Sequence, residues 1–342
     1  MPWATAALPS QLRDRLASAK YPAPCPPEDE RRYQELAKKL ELNPVLPAKL
    51  PPTAAEHCVK GTQVSLLEIM HGPFVDDPDA GLDKELPEHL DPHGDRKWMG
   101  GESGTGSQGF RHQYFSGWKL PAPLDSIQFP FRELGQARER ALVIGTEAKR
   151  MIQAGDAVWG TRVLMWALHY IQDLSQPFHA DQIPSFKMLP WGRLFTWPPQ
   201  AGWKALVEGT THSITNYHWA YEGYVLQRLE QGKDSPFVDC LAKPDLEKQI
   251  KSGSPFDVAA RVAIASEGIS SIVGASNVRF FGKQLKTPEV DLSKFVGTPD
   301  YASMAMRPEL SRERQALEVL TCQALMHASW GTRRLIEWAF AS

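Results

Sequence analysis

An all-α fold is what this sequence predicts, on three observations. Long segments repeat apolar residues at helical spacing, β-branched alternation bounded by turn residues is scarce, and 28 prolines in 342 residues punctuate the helices with irregular loops. The length suits one large domain with elaborations better than two full ones.

Taken in order, residues 10–20 and 28–42 pattern as two short, charged amphipathic helices set off by proline-rich breaks. We expect them to form a helical extension over 1–50, ahead of a main all-α domain over 51–342. Residues 53–70 read as a helix, with Glu56 at the capping-box position after Thr53. From 71 to 124 the chain is rich in Gly, Pro and Asp and holds no sustained period. So long an irregular stretch inside a compact domain points to function, and its aromatics and His112 agree. Residues 131–154 and 156–174 form consecutive helical patterns, with Asp156 as the expected N-cap of the second. Helices resume over 205–231, 255–276 and 308–341, giving a core of five or six long helices.

Composition narrows the chemistry. Thirty-eight basic and forty acidic side chains leave a formal net charge of -2, so no overall positive field draws in a polyanion such as nucleic acid. Cys25, Cys58, Cys240 and Cys322 are scattered without paired spacing, and buried free thiols are expected rather than a disulfide scaffold or a Cys-based zinc knot. Residues 1–10 lack the basic and apolar regions of a secretory signal, and no run is expected to reach membrane-spanning length. A cytoplasmic chain is the expectation, or a secreted one if a leader has been removed. No Gly-x-Ser-x-Gly elbow and no Walker pattern is present.

The chemistry-bearing residues cluster in His169-Tyr-Ile-Gln-Asp173-Leu-Ser-Gln-Pro-Phe-His179. Residues four apart on a helix share a face, with Cβ atoms roughly 5–6 Å apart, so His169 and Asp173 can offer an imidazole and a carboxylate to one ion. His218 and Glu222 repeat the spacing in an aromatic helix. Proline disfavours helix at the residue before it, so Gln176-Pro177 should end the helix and let His179 reach a different ion. A carboxylate on an apolar helix face is costly unless a metal or an arginine neutralises it. Imidazole and carboxylate donors without thiolates suit zinc.

These residues resemble the superfamily that unites bacterial zinc-dependent phospholipases C with zinc-dependent single-strand nucleases. Its His-Tyr-Leu-Gly-Asp-x-x-Gln-Pro-x-His motif matches His169 to His179 apart from Gln172 in place of glycine, and His218, Glu222, Tyr224 and Val225 match the later His-x3-Glu/Asp segment. The resemblance implies that His169 and Asp173 hold a first zinc and that His179, His218 and Glu222 hold a second. It also implies two upstream ligands: His112 in Gly-Phe-Arg-His-Gln-Tyr-Phe115, and an aspartate for which Asp77 is the choice, with Asp79 and Asp83 as close competitors. The family's third zinc uses an N-terminal tryptophan and a nearby histidine. Here Trp3 follows Met-Pro and no histidine precedes His57, which a continuous 53–70 helix would hold about 20 Å from the Asp77 end, so the third ion stays open. Pro78 stands where the family places an aromatic of its choline pocket, so the substrate is not carried over.

The resemblance covers 72–225 and implies a zinc-dependent hydrolase of phosphodiester bonds, phospholipase C-like or nuclease-like, acting on a phosphodiester or small-molecule substrate. Asp77 is the expected general base or first-site ligand, and Arg111 the expected phosphate-binding residue. The alternative is a non-hydrolytic zinc Lewis-acid enzyme, of cyclase or dehydratase type, on the same fold. A di-iron oxidase would use Glu-x-x-His pairs instead. The aromatic, proline-broken loop 186–203 can stack nucleobases, dip into lipid headgroups or pack over the domain.

Overall fold

The computed structural model describes residues 8–22, 28–43, 63–83, 107–116, 133–243, 253–292 and 299–341. In chain order these form α1 (Ser10–Ser18), β1 (Lys20–Pro22), α2 (Glu28–Leu40), β2 (Gln63–Ser65), α3 (Leu66–Met70), α4 (Ser107–His112), α5 (Ala137–Gln153) and α6 (Ala157–Asp173). There follow α7 (Pro177–Ala180), α8 (Pro199–Glu230), α9 (Val238–Leu241), α10 (Pro255–Phe281), α11 (Tyr301–Ala305) and α12 (Ser311–Ala339). The chain is mostly helical, as its periodicity predicts, with one two-stranded antiparallel sheet among the described residues, which pairs Tyr21 with Val64.

The axis of the fold is α6. Its residues from Val163 to Leu168 are all at most 1% exposed, as are Tyr170 and Ile171, and a helix apolar all round belongs inside a larger core. Antiparallel α5 covers one side and closes in at Gly160, where a Cβ would meet Ile152 Cγ1 at 2.7 Å. The C-terminal part of α12, with Trp330, Leu335 and Ile336, completes this first core together with Val258, Ala259 and Val262 of α10. A second core joins the aromatic face of α8 (Tyr217, Tyr221, Tyr224) to Phe280 and Phe281 at the end of α10 and to Leu317 near the start of α12. The two long helices α10 and α12 therefore run through both cores, and α6 hands the chain from one to the other.

The structure adjusts several expectations. The described part of 53–70 is not one helix: Gln63–Ser65 is a strand, and α3 begins after Ser65, whose side chain forms a capping box with Glu68. Thr53, Glu56 and His57 lie outside the described residues, as do Trp3, Cys25 and Cys58. Within the stretch read as irregular, α4 is helical and presents His112. Asp156 sits at the N-cap position of α6 without capping it, because its carboxylate pairs with Arg32 instead. The two N-terminal helices are packed into the first core through Leu16, Tyr33, Leu36 and Leu40. Cys240 and Cys322 are joined in a disulfide that ties α9 to α12, which corrects the expectation of free thiols for these two. Finally, α10 is long and apolar enough by length and composition to cross a bilayer, against the expectation of none, although its Val258 to Ala263 and Val273 to Phe281 portions pack into the two cores.

Candidate metal centre

Beneath the site lies a buried ionic network centred on Asp83. Its side chain is fully buried, accepts from Tyr170 Oη at 2.6 Å and Arg111 at 3.1 Å, and pairs with Arg140. A buried carboxylate without such partners would cost several kcal/mol. Burial pushes its pKa up, but the two guanidinium groups and the tyrosine hydroxyl more than offset this, and the carboxyl is held below its ordinary range. Arg140 also donates to Leu40 O at 2.9 Å and Arg111 contacts Glu41 O at 3.3 Å, so the network bolts α2, α4, α5 and α6 together. Arg111, expected to bind phosphate, is thus 2% exposed and committed to Asp83.

On this base α4 and α6 bring two imidazoles into contact. His112 Nδ1 and His169 Nε2 are 3.0 Å apart. Asp173, one turn beyond His169, places Oδ2 at 2.9 Å from His112 Nδ1 and 3.2 Å from His169 Nε2. Asp79 Oδ1 lies 3.4 Å from each of the same nitrogens. A ring nitrogen has one N–H or one lone pair in a single direction, so hydrogen bonding cannot account for three close neighbours at each. His112 Nε2 is buried without a hydrogen-bond partner and stands 3.8 Å from Asp83 Oδ2. Two donors bound to a common ion at zinc's usual bond lengths, in tetrahedral geometry, stand about 3.3–3.4 Å apart. The five separations fall at or slightly below that.

The second cluster forms across the helix break. As the sequence predicts, α6 ends at Asp173, Gln176 is extended (φ -81, ψ 121), and Pro177 opens the short α7. This turns His179 out of the axis of α6 and towards α8. His179 Nε2 is 3.0 Å from His218 Nε2 and 3.6 Å from Glu222 Oε1, and His218 Nε2 is 2.8 Å from Glu222 Oε1. Neighbouring groups fix the orientation of these donors. His179 Nδ1 lies 3.0 Å from His112 O, and a carbonyl only accepts, so Nδ1 carries a proton and Nε2 is the nitrogen that faces the cluster. Gln176 Nε2 donates to Glu222 Oε1 at 3.3 Å, and Phe178 stacks on the His218 ring.

The charges are paired throughout. Burial would lower the pKa of His169 and His179, yet Asp173 raises both, with help from Asp79 for His169 and from Glu222 for His179, which reaches about 9. The same contacts hold Asp173 and Glu222 well below the usual carboxylate range despite their burial. Two cationic donors facing two anionic ones can exchange their protons for a divalent ion without a change in sign. Two clusters that can hold a metal ion are therefore present: Asp79, His112 and His169 with Asp173 beside them, and His179, His218 and Glu222.

Of the seven metal residues expected from the sequence, six assemble here. Asp77 does not. It is 1% exposed, accepts from Trp166 Nε1 at 2.6 Å and lies 3.7 Å from Arg162 Nε. Burial pushes its pKa up to about 6, which Arg162 and Trp166 only partly counter. The turn Pro78–Leu82 decides the matter: it sends Asp77 into the core against α6, Asp79 outwards to the two imidazoles, and Asp83 into the network below. Sequence reasoning also left out Tyr170 and Gln176 as supports. Both lie inside the motif, but Gln176 was read only as a helix terminator. Gln172, the departure from the family motif, points away from the donors and bonds Thr332 on α12 at 3.0 Å.

No family model, curated protein or solved structure matches this chain.

Proposed function

We propose that this protein is a zinc-dependent hydrolase of phosphodiester bonds. The observation that carries the reading is the adjacency of two imidazole-carboxylate clusters across one helix break, the first with a carboxylate oxygen within 3.2 Å of two imidazole nitrogens. Asp79, His112, His169 and Asp173 would hold one ion, and His179, His218 and Glu222 another. The three protein donors of the second cluster leave a position there for water or substrate. A bound zinc pair supplies Lewis acidity toward water and toward the phosphoryl oxygens.

The chain's own residues set the geometry for that chemistry. Asp173 Oδ1 lies 3.9 Å from His179 Nδ1, so the carboxylate that serves the first cluster also borders the second. The Asp79 side chain is two-thirds exposed, so the first cluster meets solvent on that side. Arg111 and Asp83 hold the floor of the site and take no direct part, and Asp77 is removed from the roles of base and ligand by its burial. The Cys240–Cys322 bond favours an oxidising compartment, so of the two locations the sequence leaves open we propose the secreted one.

The test is the metal content of the purified chain, followed by turnover of bis-p-nitrophenyl phosphate before and after His169→Ala and Glu222→Ala. Two zincs per chain, with turnover lost in both variants, is the expected result. Iron in place of zinc overturns the metal assignment. Zinc without phosphodiester turnover overturns hydrolysis in favour of the cyclase or dehydratase alternative.

A further inference from the structure

Between α7 and α8 the chain carries an unusual concentration of exposed aromatic surface. Phe195 is 86% exposed, Trp197 84% and Trp203 60%, with Phe186, Trp191 and Leu194 also exposed. Single exposed apolar residues are ordinary on a protein surface, whereas six within eighteen positions form a patch that calls for a partner.

The segment is built to hold these rings outward. Residues Trp191–Phe195 form a 3-10 turn docked on α8. It rests on Gly202, where a Cβ would come within 2.4 Å of Leu194 O and 2.7 Å of Thr196 O. Trp191 Nε1 donates to Phe186 O at 3.0 Å, and Lys286 donates to Lys187 O. The backbone is thus anchored at both ends of the turn while Phe195 and Trp197 project beyond it.

Charge identifies the partner. Within the 186–203 segment the two charged side chains, Lys187 and Arg193, are both basic, while Lys204 just beyond it pairs with Glu208 at 3.5 Å, in a chain whose net charge is -2. Tryptophan and phenylalanine rings flanked by lysine and arginine are the composition that partitions into the headgroup region of an anionic bilayer. Rings this fully exposed stand proud of the surface and suit a fluid interface, whereas a protein partner would need a matching cavity. We propose that the 186–203 segment seats the protein on anionic lipid surfaces. This inference goes beyond hydrolysis and does not depend on it.

The experiment is co-sedimentation of the full chain with vesicles of phosphatidylcholine alone or mixed with phosphatidylglycerol. The wild type is expected to bind the mixed vesicles, more weakly at high salt. Replacing Phe195 and Trp197 together by serine should raise the lipid concentration for half-maximal binding at least about tenfold. Both side chains are so exposed that the fold should stay intact, and turnover of a water-soluble phosphodiester should be unchanged, which separates loss of lipid binding from failure of catalysis. Lys187→Glu should weaken binding to the mixed vesicles only. Absence of vesicle binding by the wild type, equal binding by the double variant, or a self-association that the double variant abolishes would each overturn the proposal, the last in favour of a second copy of the chain.

Discussion

His112 and His179 hold each other in place reciprocally: His179 Nδ1 donates to the backbone carbonyl of His112 at 3.0 Å, and the amide of Tyr114, two residues on, donates to the carbonyl of His179 at 2.9 Å. Each histidine belongs to a different donor cluster. The pairing joins α4, which the sequence pattern does not announce, to the short helix after the Gln176-Pro177 break, and so fixes the two clusters relative to each other.

The placement of Asp79 and Asp77 yields the most direct test. Asp79→Asn should weaken metal at the first cluster by at least about tenfold, since removing a ligand or its support typically costs that much. Asp77→Asn should leave the metal stoichiometry unchanged. Zinc titration of the metal-stripped variants against a chromogenic chelator reads both, and the reverse pattern would restore Asp77 as the ligand.

Asp77 should also leave a mark on stability against pH. Its folded pKa of about 6 lies above the ordinary 3.8 of an aspartate, so between those values the folded state holds more protons than the unfolded one. Stability contributed by this group is full at low pH and declines as pH rises through about 4 to 6, by an amount on the order of 2–3 kcal/mol. Asp77→Asn keeps an acceptor for Trp166 and has nothing to titrate. Urea unfolding from pH 4 to 7 should show this slope in the wild type and a flatter profile in the variant.

Arg111 should behave as a structural residue. Arg111→Met removes one of the two guanidinium groups that neutralise Asp83, and breaking a buried pair from one side typically costs about 3–5 kcal/mol. Denaturant unfolding should report a loss near that range, while KM for a phosphodiester in the protein that remains folded should move little. A large rise in KM with unchanged stability would return Arg111 to substrate binding.

The Cys240–Cys322 bond closes a separation of 82 residues between α9 and α12. Loss of a disulfide typically costs about 2–5 kcal/mol. A Cys240→Ser/Cys322→Ser double variant should lose stability of that order, measured by denaturant unfolding under non-reducing conditions. Metal content should be unaffected, because neither cysteine is among the donors.

Local rules made much of this protein legible. The 3.6-residue period gave the long helices, and i,i+4 spacing put His169 with Asp173 and His218 with Glu222 on common faces, because those relations are set by helix geometry alone. The proline rule gave the break that frees His179, because it constrains only the residue before it. What tertiary structure alone decided is the inward or outward sense of side chains in an irregular turn. Asp77, Asp79 and Asp83 lie within seven positions and differ in fate because Pro78–Leu82 winds between Trp166, the two imidazoles and the Arg111–Arg140 pair, which come from elsewhere in the chain. The same holds for Arg111 and for the two bonded cysteines: their partners are distant in sequence, and no periodicity records a contact that folding creates.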